Sequence, residues 1–220
     1  TGGGSISLTG GGGGAATDAN SRGSWISNVA VSGPAAGSTL TMHGTGGTIT
    51  GAGNFAHGVE LFNSGAQVST TGGDIIITGI GGADSPQHSS GLVIGSGTSV
   101  TAGGAGKINL TGTGGANLGI TQGVYLLGGS ISTNDGDITL TGTAGGQPVA
   151  SPSNYGIQNS SNVIAGGTGT ITLVADSMNL GGTIQAVGDT ITARPRTAAT
   201  PILIGGADVL TGSLALGLTD

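Results

Sequence analysis

The sequence predicts an all-β protein whose chain winds into a parallel β-helix of about six turns, with three strands in each turn. Three observations predict this fold. Glycine is very frequent, a short phrase of sequence returns about every 33 residues, and apolar residues alternate with small polar ones inside that phrase. Because each glycine inside a helix costs about 1 kcal/mol relative to alanine, the composition excludes a helical protein.

The composition also limits the partners that the chain can have. Of 220 residues, 51 are glycine, 6 are proline and none is cysteine, and the formal net charge is -6. Glycine does not recur at every third position, which excludes collagen. Four basic residues are too few to neutralise a phosphate backbone, so we expect no nucleic-acid partner. The apolar runs are shorter than the ~18 residues of a membrane helix, so we expect no membrane span.

The first phrase of the repeat is a strand that ends in glycine in all but its last copy. Its six copies are separated by steps of 34, 35, 33, 30 and 33 residues. Residues i and i+2 of a strand lie on the same side, so the two aliphatic residues of each copy share one face, and the other face is mostly Ser, Thr and Asn. The copies are residues 6–10, 40–44, 75–79, 108–112, 138–142 and 171–175.

Two further phrases complete each repeat. The second opens with glycine, at residues 58–61, 91–94, 123–126 and 156–159, and the third is short, at residues 29–31, 68–70, 100–102, 131–133 and 163–165. A sheet with one apolar face must cover it, and no helix is available to do so. We therefore expect three strands per turn to wind around a common core, with equivalent strands stacked in parallel at about 4.8 Å.

The same pattern predicts the domain organisation. We expect residues 1–193 to form the β-helix and residues 194–220 to form a C-terminal tail, linker or end cap, because Pro195 cannot donate to a strand ladder. Longer stretches separate the first and second strands in most turns, at residues 11–23, 46–57, 81–90, 114–122 and 145–155.

These longer stretches are expected to leave the column and form a loop ridge. Loops on a rigid scaffold commonly carry binding residues, so the ridge is the predicted contact surface. Trp25 and Tyr155 offer aromatic rings that could stack on a sugar, although filling the core or capping an end is the plainer role for both. The candidate contact residues of the ridge are Trp25, His57, Asp84, His88 and Tyr155.

Carboxylates are the candidates for catalysis. Asp74 and Asp137 each directly precede a first-phrase strand, and Asp135 shares a corner with Asp137. Paired carboxylates can perform acid–base chemistry. We expect no lysine or arginine beside them, however, and aspartate is a common stabiliser of tight turns. The sequence therefore predicts that the chain is not an enzyme and has no catalytic residue.

Cofactor and metal sites are also not expected. His57 and His88 lie in neighbouring loops and could converge with Asp84, but zinc normally takes three or four such ligands. The glycine run at residues 10–14 leads to no helix and has no following lysine, so it does not form a phosphate-binding loop.

The outward face of the first strand predicts one alternative function. Its outward residues include Thr139 and Thr141, and flat Thr-x-Thr ladders resemble ice-binding faces. His43, Ile76 and Asn109 interrupt the ladder, and threonine is in any case frequent in strands.

Several segments resemble the repeats of filamentous-haemagglutinin-like exoproteins, which are large bacterial surface or secreted proteins. The segments are Ile-Thr-Leu-Thr-Gly-Thr at 138–143, Gly-Ile-Gln at 156–158 and the run at 166–175, together with a spacer-like stretch at 192–198 and 205–220. The resemblance implies a right-handed parallel β-helix and an extracellular or cell-surface location.

Together, the repeats and this resemblance predict a structural and adhesive segment of an extracellular fibre or adhesin. Its expected partners are further copies of itself stacked head to tail, neighbouring β-helical segments, and host or matrix glycans. A glycan-binding or polysaccharide-cleaving β-helix that uses the loop ridge is the alternative.

Overall fold

The structure is a computed structural model. It describes residues 4–13, 20–33, 35–49, 54–83, 88–116, 119–146 and 154–198, and the backbone of residues 202–204 and 214–216. This part of the chain consists of strands, turns and irregular segments and contains no helix. In chain order the strands are β1 (Ile6–Gly11), β2 (Ser24–Ser27), β3 (Ala30–Ser32), β4 (Thr39–Thr45), β5 (Val59–Phe62), β6 (Gln67–Thr70), β7 (Asp74–Ile80), β8 (Leu92–Ile94), β9 (Ser99–Ala102), β10 (Ile108–Thr113), β11 (Val124–Leu126), β12 (Ser130–Thr133), β13 (Ile138–Thr143), β14 (Ile157–Asn159), β15 (Asn162–Ala165), β16 (Ile171–Val174), β17 (Met178–Leu180), β18 (Thr183–Ala186), β19 (Ile191–Arg194), β20 (Ile202–Ile204) and β21 (Leu214–Leu216).

These strands form three parallel sheets, which confirms the predicted fold class. The first sheet has the order β1-β4-β7-β10-β13-β16-β19, the second begins β2-β5-β8-β11-β14-β17, and the third contains β3, β6, β9, β12, β15 and β18. Every third strand along the chain therefore joins the same sheet. The chain forms a β-solenoid in which each turn contributes one strand to each sheet.

The repeat sets the register between turns. Ile108 of β10 pairs with Ile75 on one side and Ile138 on the other, and Leu110 pairs with Ile77 and Leu140. Like side chains are thus stacked on like side chains along the column axis. The alternation predicted for the first phrase is confirmed, because these residues are buried and the residues between them are half-exposed.

The core is complete only in the middle of the column. The inward residues of the four turns from β4 to β15 are almost all fully buried, whereas Ile6, Leu8 and Val31 of the first turn are only partly buried. At the other end, Ile184 is likewise only partly buried. The solenoid therefore has about four enclosed turns, slightly fewer than the six turns predicted, because the core is only partly covered at both ends.

Glycine allows the end of each first-sheet strand to pack directly on the start of the next segment. A Cβ at Gly142 would overlap the carbonyl oxygen of Gly156, and the same relation joins Gly112 to Gly123 and Gly79 to Gly91. No side chain fits between these backbones. The Gly that ends the first phrase and the Gly that opens the second phrase are therefore explained by one contact.

Two short strands lie within residues 194–220. Strand β21 pairs in parallel with β17, and β20 pairs with β21, so both extend the second sheet at its end. Strand β19 ends at Arg194, directly before Pro195. The strand β17 has no glycine before it in the sequence, and the second phrase of that turn was not predicted.

Candidate functional site

The outward face of the second sheet gathers most of the aromatic and polar side chains that lie near the loop ridge. The middle residue of each three-residue stretch points outward there, because its two neighbours in the strand point into the core. In β2 and β5, Ser27 and Phe62 form a second outward pair. Successive outward residues are register partners, and we call their line the second-sheet strip. It consists of Trp25, Glu60, Val93, Tyr125, Gln158 and Asn179.

An ion pair joins the first turn to the second on this strip. The Nε of Arg22 contacts a carboxylate oxygen of Glu60, and Glu60 is almost fully buried. Burial raises the pKa of Glu60, and Arg22 opposes that shift. The Arg22 guanidinium also lies 5.0 Å from the ring centroid of Trp25 and 5.1 Å from that of Phe55. Arginine is thus held between two aromatic rings, an arrangement that cation–π attraction stabilises.

Two histidines pack on the same aromatic residue. The ring centroids of Phe55 and His88 are 5.3 Å apart and stacked, and those of Phe55 and His57 are 5.5 Å apart and tilted. Burial, together with the charges of Arg22 and His88, lowers the pKa of His57 to about 3, so this ring is neutral at ordinary pH. The Ser90 amide donates a 3.1 Å hydrogen bond to Nδ1 of His57.

A chain of hydrogen bonds continues along the column from this cluster. The Ser90 hydroxyl donates to Oε1 of Gln122 over 2.8 Å, and Nε2 of Gln122 donates to Oε1 of Gln158 over 2.9 Å. Ser90 and Gln122 are buried, and Gln158 is half-buried. These contacts connect three successive turns through side chains alone.

The loop ridge differs from the prediction in its described parts. The amide of Gly82 donates to the carbonyl oxygen of Ala56 over 2.7 Å, and Gly115 and Gly145 make the equivalent bonds to Ser89 and Thr121. The expectation that these stretches leave the column is therefore wrong for their ends, which continue the stack. Small buried residues, including Ala56, Ser89 and Thr121, allow the two backbones to approach.

The five predicted contact residues do not come together in one site. His57 and His88 converge through Phe55, whereas Trp25 contacts Arg22 and is 54% exposed. Tyr155 is half-buried in the fifth turn. Asp84 lies outside the described residues. The prediction missed Arg22, Glu60 and Gln122. Arg22 and Gln122 share a signal, which is a polar side chain directly before the glycine that opens the second phrase, whereas Glu60 lies two residues after that glycine.

Lysine does lie beside the paired carboxylates, so that expectation was wrong. Lys107 occupies the turn between those of Asp74 and Asp137, at the same position before the first strand. Its amide donates to Oδ1 of Asp74 over 2.9 Å, and its Nζ lies 2.7 Å from Oδ2 of Asp137. Oδ1 of Asp137 accepts from the amide and hydroxyl of Thr170. Each aspartate therefore fixes the backbone of the following turn.

The outward face of the first sheet carries more threonine than the first phrase alone predicts. Thr139 and Thr141 pair with Thr172 and Thr111, as the repeat predicts. Strands β4, β7, β10 and β13 also extend beyond the glycine, and their register adds a third outward column. That column contains Thr45, Ile80, Thr113 and Thr143.

Neither a metal cluster nor a membrane helix occurs in the described part of the chain. Within it, His, Asp and Glu side chains form no group of three or more that could hold a metal ion. The same residues include no helix that is long and apolar enough to cross a membrane. Comparison with known proteins found no matching family model, no matching curated protein and no matching solved structure.

Proposed function

We propose that this chain is a structural and adhesive segment of an extracellular bacterial surface fibre or secreted adhesin. The observation that supports the proposal is the in-register stacking of the first sheet, whose seven strands place like side chains on like side chains. Six inter-strand steps of about 4.8 Å give a column about 29 Å long. Such a column is elongated and stiff, and a fibre segment needs both properties.

The ends of the column favour head-to-tail stacking of copies. Ile191 of β19 is 45% exposed, although its register partner Ile171 is fully buried. At the opposite end, β1 has no strand on its outer side among the described residues. Open edges of parallel strands can pair with another chain, and a head-to-tail contact that does not close generates a filament.

Electron microscopy across a concentration series tests this proposal. We expect single columns at low concentration and longer filaments of the same width at high concentration. Ile191→Lys places a charge in the end face and is expected to shorten the filaments. Ile80→Lys is the matched control, because Ile80 is similarly exposed but lies on the side of the column. Dispersed globular particles at every concentration would refute the fibre.

Ice binding is a second candidate, favoured by the additional threonine column of the first sheet. Thr139, Thr141 and Thr143 lie side by side on one strand and are half-exposed. Thermal hysteresis of the purified protein tests this function. We expect a measurable hysteresis that Thr141→Tyr abolishes, and a freezing point equal to the melting point would exclude ice binding.

A further inference from the structure

We propose that the second-sheet strip is a binding site for an uncharged polysaccharide that lies along the column axis. The inference rests on the adhesive role proposed above, for which it names the ligand class. The strip is straight, because its residues are register partners in six successive strands. Glu60 and Val93 are almost fully buried, so its accessible residues are Trp25 near one end and Tyr125, Gln158 and Asn179 towards the other. A linear ligand that runs in the same direction contacts both accessible parts, which lie on strands about 4.8 Å apart.

An aromatic ring lies at each of two points on the strip. Trp25 is 54% exposed, and the Arg22 guanidinium packs against its ring while the Glu60 carboxylate holds Arg22. Tyr125 is half-exposed three strands away, at a distance of about 14 Å along the axis. Exposed rings of this kind offer flat apolar surfaces with a polar edge, which suits the apolar face of a sugar ring.

Two amide side chains continue the strip beyond Tyr125. Gln158 and Asn179 are both half-buried. Oε1 of Gln158 accepts a hydrogen bond from Gln122, and its Nε2 donates to no described residue. The Asn179 amide likewise makes no side-chain hydrogen bond within the described part of the chain. Amides both donate and accept, so they can bind sugar hydroxyls in either orientation.

The charge of the strip selects an uncharged ligand. Its one ionisable carboxylate, Glu60, is buried and paired with Arg22. An acidic polysaccharide would therefore meet no unpaired cation on the strip, and a basic one would meet no accessible carboxylate. Complementary charge contributes to specificity, and here both signs are already satisfied within the protein.

Intrinsic fluorescence tests the inference directly, because Trp25 is the single tryptophan of the chain. The probes are cellohexaose, chitohexaose (N-acetylated) and maltohexaose, with hexagalacturonate as the acidic comparison. We expect at least one uncharged hexasaccharide to shift the emission to shorter wavelength and to protect Trp25 from acrylamide quenching, and hexagalacturonate to do neither. The inference is overturned if no uncharged probe changes the emission, or if hexagalacturonate alone does.

Variants locate the site and separate this inference from the fibre proposal. Tyr125→Ala keeps the reporter and is expected to weaken binding about tenfold. Trp25→Ala, followed by calorimetry, is expected to weaken it at least as much. Val187→Ala trims an exposed apolar side chain directly after a strand of the third sheet, away from the strip, and should leave the affinity unchanged. Equal losses in all three variants would refute the site. Filaments that form without glycan binding would refute this inference and leave the fibre proposal standing.

Discussion

Arg22 and Glu60 form an ion pair between the first and second turns of the column, and both groups are largely shielded from water. The two residues belong to neighbouring strands of the stack, but they are not register partners. Arg22 precedes its strand and reaches across to the outward residue of the next one. Because the guanidinium is also held between Trp25 and Phe55, this contact fixes the first turn against the rest of the column.

Removing Arg22 should destabilise the protein strongly. Arg22→Met leaves the buried Glu60 carboxylate without its partner, and breaking such a pair costs about 3 kcal/mol or more. We expect urea unfolding to report this loss in the free energy of unfolding. The double variant Arg22→Met/Glu60→Leu removes both charges and should recover much of it. A double variant as unstable as the single one would show that the ion pair is not the cause.

Histidine burial predicts a specific dependence of stability on pH. The pKa of His57 is about 3 in the folded protein and about 6.5 in the unfolded chain, so only the unfolded chain binds its proton between these values. The contribution of His57 is therefore complete above pH 6.5 and declines as the pH falls towards 3, by up to about 1.4 kcal/mol per pH unit. Burial lowers the pKa of His88 as well, which acts in the same direction.

Urea unfolding at pH values from 7 to 4 measures this dependence. His57→Gln keeps an acceptor for the Ser90 amide but cannot take up a proton. We expect the stability of this variant to fall less steeply with decreasing pH than that of the natural chain. Parallel slopes for the two proteins would contradict the assignment.

The contact between Gly142 and Gly156 predicts that position 142 does not tolerate a residue with a side chain. Gly142→Ala places a methyl group on the Gly156 carbonyl oxygen, so the backbones of two segments must separate. We expect a loss of about 2 kcal/mol or more in the free energy of unfolding. Gly11→Ala is the matched control, because a Cβ at Gly11 meets open space, also within a first-sheet strand. Similar stabilities for both variants would contradict the close packing.

Asp137 is expected to make the stability of the protein depend on pH at lower pH values than His57 does. Hydrogen bonds from Lys107 and then from Thr170 lower the pKa of Asp137 to about 2, below its ordinary value of 3.8. The stabilisation is therefore present above pH 3.8 and is lost as the pH falls towards 2. Asp137→Asn should lose about 1 kcal/mol at neutral pH, because the Asp137 side chain is 37% exposed and solvent screens its contacts.

The free energy of unfolding of Asp137→Asn should fall less steeply between pH 4 and 2 than that of the natural chain. Asp135→Asn, two residues away in the same corner, is the control and should match the natural chain in thermal unfolding. If Asp135→Asn reproduces the behaviour of Asp137→Asn, general surface charge rather than the Lys107–Asp137–Thr170 contacts explains the effect.

The column itself could be predicted from sequence because it depends on the alternation of apolar and polar residues within each short strand. Ile108 and Leu110 point inward for the same reason as Ile138 and Leu140, and the repeat places them in register. The contact between Lys107 and Asp137 follows from the same register, since both residues directly precede a first-phrase strand.

The cluster around Arg22 could not be predicted in the same way. Its contacts depend on how far a long side chain reaches between turns, and the stretches before the second phrase differ in length from turn to turn. The stacking of Phe55 on His88 therefore has no counterpart in the repeat pattern. Strand β17 was missed because Met178 follows serine where the other second phrases open with glycine.

Distances between spin labels test the stacked column most directly. The chain has no natural cysteine, so pairs of engineered cysteines can be labelled cleanly. Thr41, Thr172 and Thr192 belong to one outward column of the first sheet, with four steps from Thr41 to Thr172 and five from Thr41 to Thr192. Electron paramagnetic resonance should give separations near 19 Å and 24 Å, about 4.8 Å per step. Separations that do not increase with the number of steps would contradict the parallel stack of turns.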